Sequence, residues 1–217
     1  MKNYPPLFVT FEGIDGSGKT TLSESLNELL LHQGISVQLT SEPTTMSIGV
    51  LIRKLLKSNN NNKLDSFTEL LLFSADRSMH VSKIQQWLHQ KKWVLCDRYV
   101  DSTSAYQGED AKLLETVYTI SNVLWDRLKP DMTILLDIDP ESSLQRINGR
   151  EKDYFEHLDF LTKVRKRYLD IAKKEPNRVY LLDGNKNPSE LTQKAIDAIE
   201  LCWLSKLKAM QAKEVES

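Results

Sequence analysis

The octapeptide GIDGSGKT, Gly13 to Thr20, has residue types and a spacing suited to binding phosphate. It matches G-x-x-x-x-G-K-[S/T] at every fixed position, and it stands between the apolar run Leu7–Glu12 and a helical pattern. The glycines let backbone N–H groups converge on an anion, and the helix N-terminus adds partial positive charge. Lys19 can reach the β- and γ-phosphates of a nucleotide, and the Thr20 hydroxyl can ligate Mg²⁺. The sequence therefore predicts a nucleoside triphosphate site.

Other motifs separate the classes of protein that bind a triphosphate in this way. A switch GTPase would carry N-K-x-D for guanine, but the nearest string here is NKNP, residues 185–188, with proline in place of the carboxylate. An ATP-driven motor needs an apolar strand that ends in a magnesium-binding carboxylate, and WVLCD ending at Asp97 and MTILLD ending at Asp137 both have that form. Asp97 is followed directly by Arg98, which favours an enzyme that holds a second phosphate.

The segment DRYVDSTSAYQG, Asp97 to Gly108, is a candidate site for that second phosphate. Phosphoryl transfer between two nucleotides brings two polyanions together, so their repulsion must be neutralised. Asp97 ends a predicted strand, and open parallel sheets bind ligands at the carboxyl ends of their strands. We expect Asp97 to hold Mg²⁺ directly or through water, and Arg98 to bind the acceptor phosphate with its planar fork.

The string FSADR, Phe73 to Arg77, places an aromatic ring and a guanidinium one helical turn apart, where they can share a face. Such a pair could stack on a base and hydrogen-bond its edge. Taken alone, Phe73 is more ordinary as a core residue and Arg77 as a surface charge. Beside a phosphate-binding loop, the pair favours base recognition.

The elements that position these residues alternate along the chain. Five short runs are predicted as strands, most of them continuously apolar as in strands covered on both faces: Leu7–Glu12, Val37–Ser41, Trp93–Asp97, Met132–Asp137 and Val179–Asp183. Helical patterns cover Thr20–Gln33, Ser47–Ser58, Asp65–Gln90, Leu113–Leu128, Pro140–Asn148, Glu156–Ala172 and Pro188 to about Met210. This alternation implies right-handed crossovers and a parallel sheet within one α/β domain over residues 1–217.

Composition limits the partners and the location of the protein. A formal net charge of −1 argues against binding to nucleic acid or to an anionic membrane, because both favour a basic surface. No run approaches the roughly 18 apolar residues of a membrane span, and no signal-peptide pattern is present. Cys96 and Cys202 lack metal-ligand spacing and fit buried thiols in a reducing compartment. We therefore expect a cytoplasmic protein.

The sequence resembles the thymidylate kinase family over nearly its whole length. The resemblance is carried by FEGIDGSGKTT, SEP, LLFSADR, DRYVDSTSAYQG, KPDMTILLDIDPE and RYLDIA, in that order and spacing. It implies the α/β P-loop NTPase fold, in which a five-stranded parallel sheet carries helices on both faces. It also implies Mg²⁺-dependent transfer of the ATP γ-phosphoryl group to dTMP, which yields dTDP and ADP for dTTP synthesis, by a homodimer packed through helices.

The resemblance also implies the residues of the site. The ATP-binding set is Gly13, Ile14, Asp15, Gly16, Ser17, Gly18, Lys19, Thr20, Thr21 and Arg146, with Thr20 and Asp97 at the metal. The dTMP-binding set is Asp15, Glu42, Arg53, Phe73, Arg77, Arg98, Ser102, Tyr106 and Gln107. Within the second set, Phe73 would stack on thymine and Arg77 would bond its O4 edge. Asp15 would meet the sugar 3′-hydroxyl.

The remaining members of the dTMP set have roles implied in the same way. Arg98 would hold the acceptor phosphate and Arg53 would be a second basic contact. Glu42 would help to organise magnesium or water, or would cap the next segment. Ser102 and Gln107 would contact the pyrimidine, and Tyr106 would crowd the 2′ position. Alternatively, Ser102 caps a helix while Tyr106 and Gln107 only pack the turn.

The segment Leu144–His157 is expected to be a mobile lid that closes over ATP and excludes water. In this interpretation Arg146 lies against adenine and Arg150 reaches the transferred phosphoryl group. Some relatives carry an arginine within the phosphate loop, where this chain has Gly16. Arg150 is therefore the expected transition-state cation, and it joins Lys19 and Arg98 as a catalytic residue. The alternative is a solvated basic loop.

Two other functions stay open at this point. A kinase for another nucleotide or nucleoside would share most of these features, although a nucleoside acceptor needs a carboxylate to activate its hydroxyl, and Arg98 beside Asp97 suits an existing phosphate better. A P-loop switch or ATPase would hydrolyse its triphosphate without an acceptor and would have no need of Phe73 or Arg77.

Overall fold

The computed structural model describes residues 5–57, 64–108, 111–147 and 158–215. Its centre is a parallel sheet of five strands, β1 (Phe8–Glu12), β2 (Val37–Ser41), β3 (Trp93–Asp97), β4 (Met132–Asp137) and β5 (Val179–Asp183). The spatial order is β2-β3-β1-β4-β5, so β1 lies in the middle with β3 and β4 as its neighbours. The predicted parallel sheet is confirmed, and four of the five predicted strands have the observed bounds. β1 begins at Phe8, one residue later than predicted.

Eight helices connect and follow the strands in the described part of the chain. They are α1 (Lys19–His32), α2 (Ser47–Lys57), α3 (Ser66–His89), α4 (Val100–Tyr106), α5 (Ala111–Arg127), α6 (Pro140–Ile147), α7 (Leu158–Lys174) and α8 (Pro188–Val215). Seven of them correspond to predicted helical patterns. The short helix α4 was not predicted, and it begins three residues after β3 ends.

Helices cover both faces of the sheet, as the fold prediction requires. On one face α1 and α8 contribute Leu22, Leu26, Ala195 and Ile199 to a core with the strands. On the other face α3 and α5 pack on β3, and α7 packs on β4 and β5. Burial of this apolar area on both sides is the main driving force for the layered arrangement.

Burial separates the central strands from the edge strands. Every residue of β1 is buried, whereas β2 is half-buried throughout and β5 has three exposed residues among its five. Tyr180 and Leu181 of β5 are exposed. The expectation that most strands are covered on both faces therefore holds at the centre of the sheet and not at its edges. Over the described residues, no helix has the length and apolar character that a membrane crossing requires.

Candidate active site

The loop between β1 and α1 has the backbone shape of an anion cradle. Gly13 and Gly16 have φ values of 141° and 74°, in the region that L side chains rarely adopt. A Cβ at Gly13 would lie 2.5 Å from the Leu136 carbonyl oxygen, and one at Gly16 would lie 2.7 Å from that of Ser143. Glycine is therefore required at both positions, because side chains there would force the loop away from β4 and α6.

Lys19 begins α1 and turns back over the cradle. Its Nζ donates to the carbonyl oxygens of Gly13 at 3.1 Å and Ile14 at 2.8 Å. Burial, and after it the nearby charge of Arg98, lower the pKa of Lys19 to about 8, while Asp15 opposes the shift. The ammonium group is thus held where an incoming phosphate would replace weak carbonyl partners with charge-assisted ones.

Thr20 and Asp97 form the candidate metal site. The Thr20 hydroxyl donates to Asp97 Oδ2 over 2.6 Å, and Asp97 Oδ1 is buried with no hydrogen-bond partner in the described structure. Mg²⁺ typically takes one or two protein oxygens and completes its octahedron with phosphate and water. The described residues contain no cluster of three or more His, Cys, Asp or Glu ligands. A hydroxyl beside a free carboxylate oxygen therefore fits Mg²⁺ that arrives with a nucleotide.

Arg98 links the phosphate loop to the residues of α4. It has a φ of 71°, which is unusual for a residue with a side chain and is seen at functional sites. Its Nη2 donates to Asp15 and to the Tyr106 hydroxyl, the second at 3.2 Å, and its guanidinium lies 4.9 Å from the centre of the Tyr106 ring. Burial raises the pKa of Asp15, but Arg98 and Lys19 lower it more, so that carboxyl stays ionised.

Two cavities meet at Asp15 and Arg98. The larger, of about 1050 Å³, is lined by the phosphate loop, the end of β3 and the start of α8. The smaller, of about 80 Å³, is lined by Phe73 and by residues of α4, with Pro43 and Leu56. Asp15 and Arg98 line both cavities. A donor in the large cavity and an acceptor in the small one would therefore meet beside Arg98.

The smaller cavity collects several of the residues expected to bind the acceptor. Phe73, Ser102, Tyr106 and Gln107 line it together with Thr103. The Ser102 hydroxyl is hydrogen-bonded to Glu12 over 2.6 Å. Tyr106 donates to Asp15 at 3.3 Å. These four positions come from α3, α4 and the residue after α4, so the chain brings them together only in the folded protein.

Arg77 lies behind this cavity and is buried. Its Nε donates to Glu42 at 2.7 Å, Nη1 to the Thr103 hydroxyl at 2.6 Å and Nη2 to the Tyr99 carbonyl at 2.9 Å. The alternative of a solvated surface charge is therefore wrong. Thr103 lines the smaller cavity and lies between it and the Arg77 guanidinium.

Glu42 and Arg53 face the larger cavity. Glu42 is buried, and its two oxygens accept from Arg77 and from His80 Nδ1 at 2.8 Å. Arg53 Nη1 donates to the Thr44 carbonyl over 2.5 Å. Both side chains thus shape the loop after β2 that borders the cavity.

The lid segment is described only at its start. Arg146 Nη1 donates to the Gly184 carbonyl at 3.0 Å, and Arg146, Gly184 and Lys186 line the larger cavity. Thr21 also lines that cavity. Residues 148–157, and with them Arg150, lie outside the described part of the chain.

Two functional candidates were missed by the sequence analysis. Glu12 of β1 and Tyr168 of α7 meet under α4, where the Tyr168 hydroxyl donates to Glu12 Oε2 at 2.8 Å. The sequence signal for Glu12 was a carboxylate at the end of an apolar strand. Tyr168 belongs to the RYLDIA string, which carried the resemblance but suggested no role for the residue.

The chain is similar to known proteins over most of its length. A thymidylate kinase family model matches residues 11–196. A thymidylate kinase of Bacillus velezensis is 38% identical over 200 residues, covering 89% of this chain and 94% of its own length. One of Pelobacter propionicus is 40% identical over 197 residues, covering 86% and 90%.

The architecture agrees as well. The crystal structure of thymidylate kinase from Ehrlichia chaffeensis superposes with a TM-score of 0.70 at 35% identity, covering 89% of this chain and 98% of that one. The resemblance noted in the sequence and the P-loop NTPase fold inferred from it are thereby confirmed. The chain belongs to the thymidylate kinase family and is a phosphotransferase of the nucleoside monophosphate kinase type.

Proposed function

We propose that the protein transfers the γ-phosphoryl group of ATP to dTMP in a Mg²⁺-dependent reaction that gives dTDP and ADP for dTTP synthesis. The observation that carries this proposal is the position of Arg98, which lines both cavities and bonds to Asp15 of the phosphate loop. A phosphate in the small cavity would lie beside the same guanidinium as the γ-phosphate of a donor in the large one. That arrangement supports in-line transfer between two bound nucleotides.

On the donor side, the cradle from Gly13 to Thr21 holds the phosphates and Lys19 neutralises their charge. When bound, Mg²⁺ would offset the negative charge that develops on the phosphates during transfer. Thr20 and Asp97 would hold it. Arg146, which borders the large cavity, would lie against the adenine.

On the acceptor side, Phe73 stacks on thymine, Ser102 and Gln107 border the base, and Tyr106 limits space near the 2′ position. Arg77 would reach the O4 edge by exchanging its bond to the Thr103 hydroxyl for one to the base, since that hydroxyl is its contact nearest the cavity. Asp15 would accept a hydrogen bond from the sugar, with Arg53 and Glu42 at the border of the site.

The acceptor phosphate is already an anion, so its oxygen can attack the γ-phosphorus without a general base, and the bond to ADP breaks as the new bond forms. Lys19 and Arg98 offset the charge on the transferred group. Arg150 supplies a third positive charge in this proposal, from a lid at about residues 144–157 that excludes water within a single kinase domain.

We further propose that the protein is a cytoplasmic homodimer. An exposed apolar stripe on α3 supports the dimer. Phe67, Leu71 and Met79 on this helix are all exposed and follow one another at helical spacing. Light scattering would test the dimer. Neither nucleic acid nor a membrane is part of the proposal.

The decisive test is an acceptor assay. The enzyme is incubated with ATP and Mg²⁺ plus dTMP, dUMP, UMP or CMP in parallel, and ADP and nucleoside diphosphate are measured. We expect dTMP to give the highest kcat/KM. A rate of ADP release that ignores all four acceptors would overturn the proposal in favour of a simple ATPase.

A further inference from the structure

Glu12 is a buried carboxyl group with no role in the site described so far. It ends β1 and has no solvent exposure. Its Oε1 accepts from the backbone N–H groups of Tyr99 at 2.8 Å and Ser102 at 3.3 Å. Tyr99 immediately precedes α4 and Ser102 lies in its first turn. One oxygen of Glu12 is therefore satisfied entirely by the main chain.

The other oxygen is one corner of a triangle. Glu12 Oε2 lies 2.6 Å from Ser102 Oγ and 2.8 Å from the Tyr168 hydroxyl, and these two hydroxyl oxygens lie 2.9 Å apart. All three oxygen–oxygen distances lie in the range that is usual for O–H···O hydrogen bonds. Each hydroxyl brings a single proton, so the two supply only two protons for three contacts. A neutral Glu12 would supply the third proton, by donating from Oε2 to Ser102 while Ser102 donates to Tyr168 and Tyr168 donates back to Oε2.

We propose that Glu12 is a positioning residue of the transfer site. As a neutral carboxylic acid it closes a three-oxygen ring with Ser102 and Tyr168. This ring holds the Arg98 guanidinium in the orientation that binds the acceptor phosphate. Arg98 Nη1 lies 3.2 Å from Ser102 Oγ and 3.5 Å from the Tyr168 hydroxyl, so the ring borders the guanidinium directly. The inference rests on the proposed function, because the orientation of Arg98 matters only when an acceptor phosphate binds.

A neutral Glu12 would also leave the positive charge of Arg98 available to the acceptor phosphate. An ionised Glu12 would add a further negative charge near this guanidinium, after those of Asp15 and Asp97, and it would repel an acceptor phosphate. A neutral Glu12 leaves one carboxylate partner, Asp15, which binds the opposite nitrogen. The ring thus orients Arg98 without adding a negative charge that would compete with the acceptor phosphate for the guanidinium.

The charges around Glu12 agree with a retained proton. Burial, and after it the charge of Asp101, raise the pKa of Glu12 to about 7, against the opposing effects of the hydrogen bonds with Ser102 and Tyr168 and of the charge of Arg98. The titratable groups facing it from the packed elements are Lys19 of α1, Arg77 of α3, Cys96 of β3, Arg98 and Tyr99 of the following turn, Asp101 of α4 and Tyr168 of α7.

The kinetic test compares the wild type with Glu12→Gln, whose side chain cannot ionise. The dTMP KM is measured from about pH 6 to about pH 9. We expect the wild-type KM to rise about three- to tenfold as Glu12 loses its proton, while the KM of Glu12→Gln lacks this step. The ratio of the two values cancels the titration of dTMP itself. Glu200→Gln, an exposed change on α8, should keep the wild-type step.

A second variant tests the ring itself. Tyr168→Phe removes one proton and one acceptor, so it should raise the dTMP KM even at about pH 6, with a smaller effect on the ATP KM. The matched change Tyr180→Phe alters an exposed hydroxyl on β5 and should leave both values unchanged. A pH step that persists in Glu12→Gln, or equal KM values for Tyr168→Phe and the wild type, would overturn the inference.

A direct measurement separates this inference from the proposed function. The infrared difference spectrum of wild type minus Glu12→Gln, taken without nucleotides, should show a protonated carboxyl band at about pH 6 that disappears by about pH 9. Carbon-13 NMR of glutamate-labelled wild type reports the same proton if the variant does not fold. An ionised Glu12 at about pH 6 would overturn the inference even if dTMP is a good acceptor. A protonated Glu12 in an enzyme that ignores dTMP would instead overturn the proposed function and the acceptor role of the ring.

Discussion

The Thr20 hydroxyl donates to Asp97 Oδ2 over 2.6 Å and so joins the first turn of α1 to the end of β3. The contact brings together a residue of the phosphate loop and a residue 77 positions later in the chain. The second carboxylate oxygen of Asp97, Oδ1, is buried and has no hydrogen-bond partner in the described structure. The pair therefore holds a free carboxylate oxygen ready for a cation that enters with the nucleotide.

Asp97→Asn should raise the Mg²⁺ concentration for half-maximal activity by about 10- to 100-fold, because the amide removes the negative charge at the proposed metal. Activity is measured as a function of Mg²⁺ at saturating ATP and dTMP. Thr20→Ser keeps the hydroxyl and should stay close to the wild type. An unchanged Mg²⁺ dependence in Asp97→Asn would show that the cation is held elsewhere.

Arg98→Lys should lower kcat/KM for dTMP by about 100-fold, because a point charge cannot bond to Asp15 and a phosphate in the planar geometry of guanidinium. ATP affinity, followed by calorimetry, should change by much less. Arg127→Lys on α5 is the control, since that arginine contacts Ser78 and Ser82 outside the cavities. A loss that falls equally on ATP and dTMP would contradict this role.

The raised pKa of Glu12 has a consequence for stability. Because the folded protein binds this proton more tightly than the unfolded chain does, the free energy of unfolding should fall as pH rises from about 4.5 through about 7. The expected loss is of the order of 3 kcal/mol in the wild type, and it should be absent in Glu12→Gln. Urea unfolding at a series of pH values measures the difference between the two proteins. A constant difference across the range would show that the proton is not retained.

Arg178 and Asp101 form a buried ion pair. Removing one partner should lower the free energy of unfolding, because the other partner is then left buried without its counter-charge. Arg178 Nη1 donates to Asp101 Oδ2 at 2.8 Å, and both side chains are buried. Arg178→Met leaves the Asp101 charge uncompensated and should cost about 3–5 kcal/mol in the free energy of unfolding. Adding Asp101→Asn should recover part of that loss.

The control for this pair is Lys194→Met, which breaks the exposed ion pair with Glu190 on α8 and should change the free energy of unfolding little. Similar losses for the buried and the exposed variants would contradict the argument from burial.

The sequence predicted the sheet well because its strands are short apolar runs whose identity does not depend on distant residues. The helix α4 was different. Its sequence VDSTSAY contains β-branched and hydroxyl residues that favour other conformations. In the folded protein Glu12 accepts hydrogen bonds from the backbone N–H groups of Tyr99 and Ser102, and this contact crosses almost 90 positions of the chain. No local pattern could report it.

The candidate site likewise contains parts that the sequence predicts and parts that it does not. The phosphate cradle was predictable because eight consecutive residues form it. The surroundings of Arg77 were not, because its partners Glu42, Tyr99 and Thr103 come from separate elements. The pairing of an aromatic ring with an arginine at helical spacing indicated a base-binding face. It could not show that three hydrogen bonds hold this arginine behind the cavity.

Gly16 offers a last prediction, in which backbone strain and steric contact can be separated. Gly16 and Gly34 have similar φ values of 74° and 78°, so an alanine at either position carries a similar backbone cost of about 1 kcal/mol. A Cβ at Gly16 would also lie 2.7 Å from the Ser143 carbonyl oxygen, whereas one at Gly34 would meet nothing within 4 Å.

We therefore expect Gly16→Ala to lower the free energy of unfolding by more than Gly34→Ala does, and to weaken ATP binding as the cradle moves away from α6. Urea unfolding and calorimetric titration with ATP measure the two effects. Equal losses of stability in both variants would mean that the phosphate loop can move away from the Ser143 carbonyl with no loss in the free energy of unfolding. In that case the fit of the cradle against α6 would not be what requires glycine at this position.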